Sequence, residues 1–186
     1  MIVTEEFGAV ARLFGRLLLF EIDERMRSEL TQPEVAAALL ELGVDTDVLN
    51  GADLDALACE YLEIFVQPEE GGPLVQSLWT EGSYEGEAAV AIRKLAEVGA
   101  VEFDRDAARG ASHDHLGSIL WLWAELRLET PELAQHLVQQ HLTWAGTPLR
   151  RIAEGEGFYA KLADAVLRFL RDLHAWSNEQ AGGENA

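Results

Sequence analysis

Apolar residues recur at helical spacing along almost the whole of this 186-residue chain. An apolar residue every three or four positions lies on one face of an α-helix, whereas a strand needs alternation at every second position. No alternating run is long enough to predict a sheet, so the pattern predicts an all-α helical bundle. The clearest stripe consists of Tyr159, Leu162, Val166, Phe169, Leu173 and Trp176.

The breaks between the stripes predict how the chain is organised. The segment VQPEEGGP, residues 66–73, contains two prolines and two glycines and predicts a hinge loop. Residues 177–186 are polar and Gly-containing, which predicts a disordered tail after a single helical domain over residues 1–176. The first stripe predicts one long N-terminal helix, formed by Phe7, Val10, Phe14, Leu17, Ile22, Met26 and Leu30.

The charge balance restricts the kind of partner. With 33 Asp and Glu against 14 Lys and Arg, the formal net charge is -19, which repels a nucleic-acid backbone. We therefore expect no nucleic-acid binding. An acidic surface also keeps a protein soluble, and it attracts a cationic partner such as a Lys/Arg-bearing peptide. Charge alone leaves both interpretations open.

Cysteine usage and hydropathy indicate a compartment. Cys59 is the only cysteine, so no internal disulfide can form. Glu5 and Glu6 stand where a secretory signal would carry basic residues, and no stretch approaches the roughly 18 apolar residues that span a bilayer. The expected location is the cytoplasm, without stable membrane insertion.

The triplet His113-Asp114-His115 is open to a catalytic interpretation. A His-Asp pair in an all-α protein is typical of metal-dependent phosphohydrolases of the HD type, which need further His and Asp ligands from other helices. There is no Glu-x-x-His, no Gly-rich phosphate loop and no GxSxG. The remaining histidines, whose spacings match no ligand motif, are His136, His141 and His174.

The same triplet can instead open a binding helix. At 100° per residue, His115 lies at the edge of an apolar face that is predicted to point into the core. The opposite, outward face consists of Asp114, Ser118, Trp121 and Glu125. This face could bind an apolar, cationic peptide, or Asp114 could serve only as a favourable carboxylate at a helix N-terminus while a neighbouring helix buries Trp121.

Several motifs in order along the chain resemble one family. EYLEIFVQP (60–68) resembles its segment with a Glu-Tyr opening and a closing proline, and PLVQSLW (73–79) resembles its Pro-Pro-aromatic-x-Ser-Val-Tyr/Trp motif. DHLGSIL (114–120) resembles its Asp-His motif, and HLTWAG (141–146) and GFYAKLADAVLRFL (157–170) follow in the same order. The family is the TorD/DmsD/NarJ group of cytoplasmic chaperones for molybdenum-containing redox enzymes. Val75 stands where this family usually has an aromatic residue.

The resemblance implies an all-helical, non-catalytic chaperone without a cofactor. Its partner would be the twin-arginine signal peptide, or the apo form, of a molybdopterin oxidoreductase, whose export is delayed until the cofactor is inserted. The chain would be a monomer, or a domain-swapped dimer that exchanges helices through loop 66–73. Together with the outward helix face, the residues that the resemblance implicates in peptide binding are Ser77, Leu78, Trp79, Asp114 and His115.

Overall fold

The computed structural model describes residues 5–68, 73–102 and 108–183, with side chains up to 179. The helices are α1 (Glu5–Leu19), α2 (Glu24–Leu30), α3 (Pro33–Glu41), α4 (Leu54–Tyr61), α5 (Gln76–Glu81), α6 (Glu87–Val98), α7 (Leu116–Glu129), α8 (Pro131–His141), α9 (Gly146–Ala153) and α10 (Phe158–Gly183). A π-helical turn, Leu62–Val66, continues α4, and short 3₁₀ turns lie at Asp47–Leu49 and Thr143–Ala145. Over the described ranges there is no strand, which confirms the all-α prediction.

Helix α7 lies at the centre of the fold. Its residues are apolar on nearly every side, which is the pattern of a helix that is covered all round. It packs against α1 on one side and α8 on another. Trp123 is fully buried and makes edge-on contacts with Phe7 of α1 and with Phe169 and Trp176 of α10. These rings join three helices in one apolar core.

The close approach of α1 and α7 depends on two glycines. A Cβ on Gly15 would lie 2.7 Å from the carbonyl oxygen of Gly117, and a Cβ on Gly117 would lie 2.6 Å from the carbonyl oxygen of Gly15. Both separations are far below van der Waals contact, so only glycine allows the two backbones to meet here.

The first helix is shorter than predicted. Helix α1 ends at Leu19, and α2 begins after Asp23, whose carboxylate accepts a 2.7 Å hydrogen bond from the N–H of Met26. This N-cap starts a new helix, and Ile22 in the connection and Met26 in α2 still reach the core. The apolar stripe was therefore correct, but the prediction of one continuous helix was wrong.

The C-terminal helix is longer than predicted. Helix α10 runs to Gly183, and the buried Ser177 contributes its carbonyl as acceptor for Gln135 Nε2 at 2.8 Å. The predicted start of a disordered tail at residue 177 was wrong, because Trp176 and Ser177 are held against the core and no helix breaker follows before Gly182. Residues 184–186 lie outside the described chain.

The predicted hinge loop at 66–73 falls mostly outside the description. Val66 ends the π-helical turn and Pro73 is described, but residues 69–72 are not. The hinge and the single-domain organisation therefore stay predictions. No helix in the described ranges is both long enough and apolar enough to cross a membrane.

Candidate functional site

The two sequence motifs PLVQSLW and DHLGSIL meet in space. Val75 and His115 form an isolated antiparallel bridge. Around it, Gln76 N–H donates to the carbonyl of Asp114 at 2.9 Å, and Leu116 N–H donates to the carbonyl of Leu74 at 2.8 Å. The start of α5 and the start of α7 are thus held together as one junction.

Asp114 is buried in this junction. Its side chain is inaccessible to solvent, one carboxylate oxygen accepts a 2.7 Å hydrogen bond from the N–H of Ser77, and the other accepts a hydrogen bond from the hydroxyl of Ser112. The prediction that Asp114 faces outward was therefore wrong. The physical reason is that α7 begins only at Leu116, so the 100° spacing of a helix does not apply to Asp114.

His115 is the N-cap of α7. Its Nδ1 accepts a 3.1 Å hydrogen bond from the N–H of Gly117, which satisfies one free donor of the first turn. Burial lowers its pKa to about 4, against the smaller opposing effect of the Asp114 carboxylate. The imidazole is therefore neutral at pH 7, and its predicted position towards the core is observed.

The three residues predicted from PLVQSLW lie along α5. Ser77 is buried, and Leu78 and Trp79 are half-buried. Trp79 Nε1 donates to the carbonyl of Pro73 at 2.9 Å, and the guanidinium of Arg151 lies 5.6 Å from the centre of its indole ring. The Trp79 ring therefore packs towards α9.

The predicted outward face of α7 is covered by α1. Ser118 is fully buried, and half-buried Trp121 donates from Nε1 to the carbonyl of Arg12 at 2.8 Å. Glu125 is exposed and pairs with Arg12 Nε at 2.9 Å. The outward interpretation was wrong for Ser118 and Trp121, because a helix wheel cannot show that Gly15 brings α1 into contact with them, whereas Glu125 does face solvent. The alternative, in which a neighbouring helix covers Trp121, is the one observed.

A cavity of about 430 Å³ opens beside the junction. It receives side chains from the π-helical turn, from the segment before α5 and from the start of α7. Three of its apolar side chains are unusually exposed: Leu62 at 45%, Val66 at 46% and Tyr84 at 56%. The larger apolar side chains of the lining include Tyr61, Leu62, Phe65, Val66, Val75 and Tyr84.

One wall of this cavity carries charge. Glu21 and Arg109 both line it, with 3.6 Å between Arg109 Nη1 and a Glu21 carboxylate oxygen. The guanidinium of Arg109 also lies 5.4 Å from the centre of the Phe20 ring. An apolar hollow with a charged wall suits a ligand that combines an apolar segment with a charged group.

Of the eight predicted site residues, only His115 lines the cavity; the other seven form the junction, α5 and the contact between α7 and α1. The segment EYLEIFVQP contributes four residues to the lining, Tyr61, Leu62, Phe65 and Val66, although none of them was among the predicted site residues. Nothing in the sequence indicated Arg109, which approaches the cavity only in three dimensions. A larger hollow of about 780 Å³ lies beside His113, but no residue of the two motifs PLVQSLW and DHLGSIL lines it.

The part of the chain that the structure describes contains no set of side chains that could bind the metal ion of an HD-type enzyme. Over these residues, no group of three or more His, Cys, Asp and Glu is placed to hold a metal ion. The two carboxylate oxygens of Asp114 are used by Ser77 and Ser112, and Nδ1 of His115 is used by Gly117. The geometry of this pair supports a structural junction.

The fold and the cavity define an all-α protein with a central buried helix and an apolar hollow beside its N-terminus. No protein-family model and no curated protein matches the chain. Among solved structures it is similar to a candidate redox enzyme maturation protein from Archaeoglobus fulgidus, with a TM-score of 0.63 and 21% sequence identity. The match covers 90% of this chain and 93% of that one. At this identity the likeness shows the shared fold.

Proposed function

We propose that this protein is a non-catalytic chaperone for a molybdopterin oxidoreductase. It binds the twin-arginine signal peptide, the apo form, or both, assists cofactor insertion and delays export until maturation is complete. The observation that carries the proposal is the 430 Å³ cavity with exposed Leu62, Val66 and Tyr84 on its wall. The name of the structural neighbour, a redox enzyme maturation protein, and the motif resemblance support it.

The chemistry of a signal peptide suits this surface. Burying one leucine-sized side chain contributes about 1.5–3 kcal/mol, whereas an exposed ion pair contributes about 0–1 kcal/mol. Apolar contacts with Leu62, Val66 and Tyr84 therefore supply most of the affinity. The net charge of -19 mainly accelerates the approach of a cationic peptide.

Titration of a labelled twin-arginine leader, taken from an oxidoreductase of the same genome, tests the proposal by fluorescence anisotropy. Leu62→Ser and Val66→Ser should each weaken binding by about five- to tenfold, from partial loss of apolar burial. Leu128→Ser and Val98→Ser are matched controls, because these side chains are 61% and 72% exposed and lie outside the cavity. Equal effects of all four variants would contradict a site in this cavity.

The leader and the mature enzyme are separate binding candidates. A pull-down of an apo-oxidoreductase that lacks its leader, with the purified chaperone, would measure how much the mature part contributes to binding. Loss of binding assigns the leader as the main ligand, and retained binding assigns the mature core. Failure of both the leader and the full apo-enzyme to bind would reject the chaperone proposal.

The proposed partner implies where and in what form the protein acts. Binding before export places it in the cytoplasm, and a monomer is sufficient to form the cavity. Exchange of helices through loop 66–73 would give a domain-swapped dimer, which size-exclusion chromatography with light scattering separates from the monomer.

A further inference from the structure

The guanidinium of Arg109 occupies a defined position at the cavity. It lies over the ring of Phe20, 5.4 Å from the ring centre, and it is 3.6 Å from the carboxylate of Glu21. A planar cation between an aromatic face and a carboxylate is a recurrent arrangement for binding arginine. The position of Arg109 therefore shows that this part of the cavity can hold a guanidinium group.

The aromatic side of this arrangement is rigidly supported. Phe20 packs on Trp121 with their ring centres 6.1 Å apart. Trp121 is fixed in turn by its hydrogen bond to the carbonyl of Arg12 and by its close fit over Gly15. The ring of Phe20 is therefore in place before any ligand arrives, so a ligand need not order it.

Arg109, in contrast, is weakly held. Its side chain is 62% exposed, and Glu21 is 44% exposed, so solvent screens the attraction between them. Its backbone has a φ of 50°, in the left-handed region that non-glycine residues seldom adopt, next to Gly110 at 77°. Another guanidinium can replace this one without opening the core.

We propose that Phe20 and Glu21 form an arginine subsite of the cavity, and that Arg109 is an internal competitor that an arginine of the bound peptide displaces. This inference rests on the proposed function, because it concerns the same cavity. It commits to one occupant, an apolar segment preceded by arginine. The neighbouring exposed Leu62 and Val66 receive the apolar segment while the arginine takes the place of Arg109.

The subsite should distinguish arginine from lysine. A guanidinium can stack flat on Phe20 while its edge donates to Glu21, but an ammonium is a strongly hydrated point charge that cannot stack in this way. Citrulline has nearly the shape of arginine without its charge. Comparing peptides with two arginines and two lysines therefore tests the effect of shape at equal charge. Comparing two arginines with two citrullines tests the effect of charge at nearly equal shape.

The test uses the full-length chain and three labelled peptides, in which Arg-Arg, Lys-Lys or citrulline-citrulline precedes the same run of ten Leu and Ala residues. Arg109→Ala should tighten binding of the Arg-Arg peptide about three- to tenfold, since it removes the competitor. The citrulline peptide should gain little. Arg93→Ala is the matched control for net charge, because Arg93 is also exposed, pairs with Glu97 at 3.9 Å and lies outside this cavity.

Removal of the subsite itself should have the opposite effect. Glu21→Gln and Phe20→Leu should each weaken Arg-Arg binding about three- to tenfold and reduce the preference over lysine. In the double variant with Glu21→Gln, the gain from Arg109→Ala should shrink, because both changes act on one interaction. Melting temperatures identify any variant that fails to fold, and Glu21→Gln alone still tests the subsite if Phe20→Leu does not fold.

The outcomes separate this inference from the proposed function. Tight binding of all three peptides, unchanged by Arg109→Ala and by Glu21→Gln but weakened by Leu62→Ser, would keep the chaperone site and overturn the arginine subsite. An equal gain from Arg93→Ala and Arg109→Ala would also overturn it, since net charge alone would then explain the effect. Absence of binding by every peptide, together with absence of binding by the apo-enzyme, would overturn both.

Discussion

The carboxylate of Asp114 accepts a 2.7 Å hydrogen bond from the backbone N–H of Ser77, a residue 37 positions earlier in the chain. This contact joins the first turn of α5 to the segment before α7, and it is buried. The two motifs that stand out in the sequence therefore form one structural junction, and the open cavity lies beside it. The junction positions the cavity walls, whereas the exposed apolar side chains of the walls are available to a ligand.

Asp114→Ala should lower the free energy of unfolding by about 2–4 kcal/mol, because the N–H of Ser77 and the hydroxyl of Ser112 would lose a buried acceptor. Asp114→Asn keeps an acceptor oxygen and should recover part of this loss. Urea denaturation measures both. Asp164→Ala is the matched control, since Asp164 is 48% exposed and pairs only with Arg168 of the same helix among its described contacts. A loss no larger than that of the control would show that the Asp114 contacts do not stabilise the fold.

Gly15→Ala and Gly117→Ala should each destabilise the protein by about 1–3 kcal/mol, because the added methyl groups would collide with backbone carbonyl oxygens across the α1–α7 contact. Gly146→Ala is the control. Gly146 has helical φ and ψ, and its nearest neighbour, Arg150 Nη1, is 3.4 Å away on a flexible side chain. That substitution should be neutral or stabilise by up to about 1 kcal/mol. Thermal denaturation distinguishes the three variants, and a loss at Gly146 as large as at Gly15 would argue against a specific close contact.

Stability should decrease as the pH falls from 6.5 to about 4. The pKa of His115 is lowered from 6.5 to about 4 in the folded protein, mainly by burial, so the unfolded chain binds more protons within this window. Above pH 6.5, neutral His115 makes its full contribution to the free energy of unfolding. This contribution is lost progressively as the pH falls towards the folded-state pKa of about 4. Burial also lowers the pKa of His141 and of His174, which act in the same direction.

His115→Asn isolates this contribution. Asparagine can still cap α7 but does not titrate, so the slope of unfolding free energy against pH should decrease by up to about 1.4 kcal/mol per pH unit, the value for one proton. Urea denaturation at several pH values between 4 and 7 gives the slope. An unchanged slope would mean that His115 is accessible to protons in the folded protein.

Glu125→Gln should change little. Glu125 is half-exposed and pairs with Arg12 of α1, so the loss in unfolding free energy should stay below about 1 kcal/mol. The structure also places it away from the cavity, and peptide affinity should stay within about twofold of the wild type. Denaturation and anisotropy measure the two quantities. A tenfold loss of peptide affinity would show that Glu125 takes part in peptide binding.

Local sequence patterns predicted only part of the candidate site. The sequence motifs singled out both segments of the junction and the segment that begins at Glu60. It placed binding on Asp114 and Trp121, since a helix wheel assigns these residues to the solvent side when no neighbour is known. The exposed apolar side chains of the cavity wall are Leu62, Val66 and Tyr84, which no single motif groups together.

The amino-acid sequence by itself determined the helical class and most of the apolar stripes that form the core, because hydrophobic period and capping act between residues a few positions apart. Only the tertiary structure decided which polar residues are buried and where a ligand can enter. Gly15 and Gly117 let α1 cover the face of α7 that carries Ser118, and Arg109 meets Phe20 across a long sequence separation. Such contacts depend on how helices pack against each other, which the period of one helix does not specify.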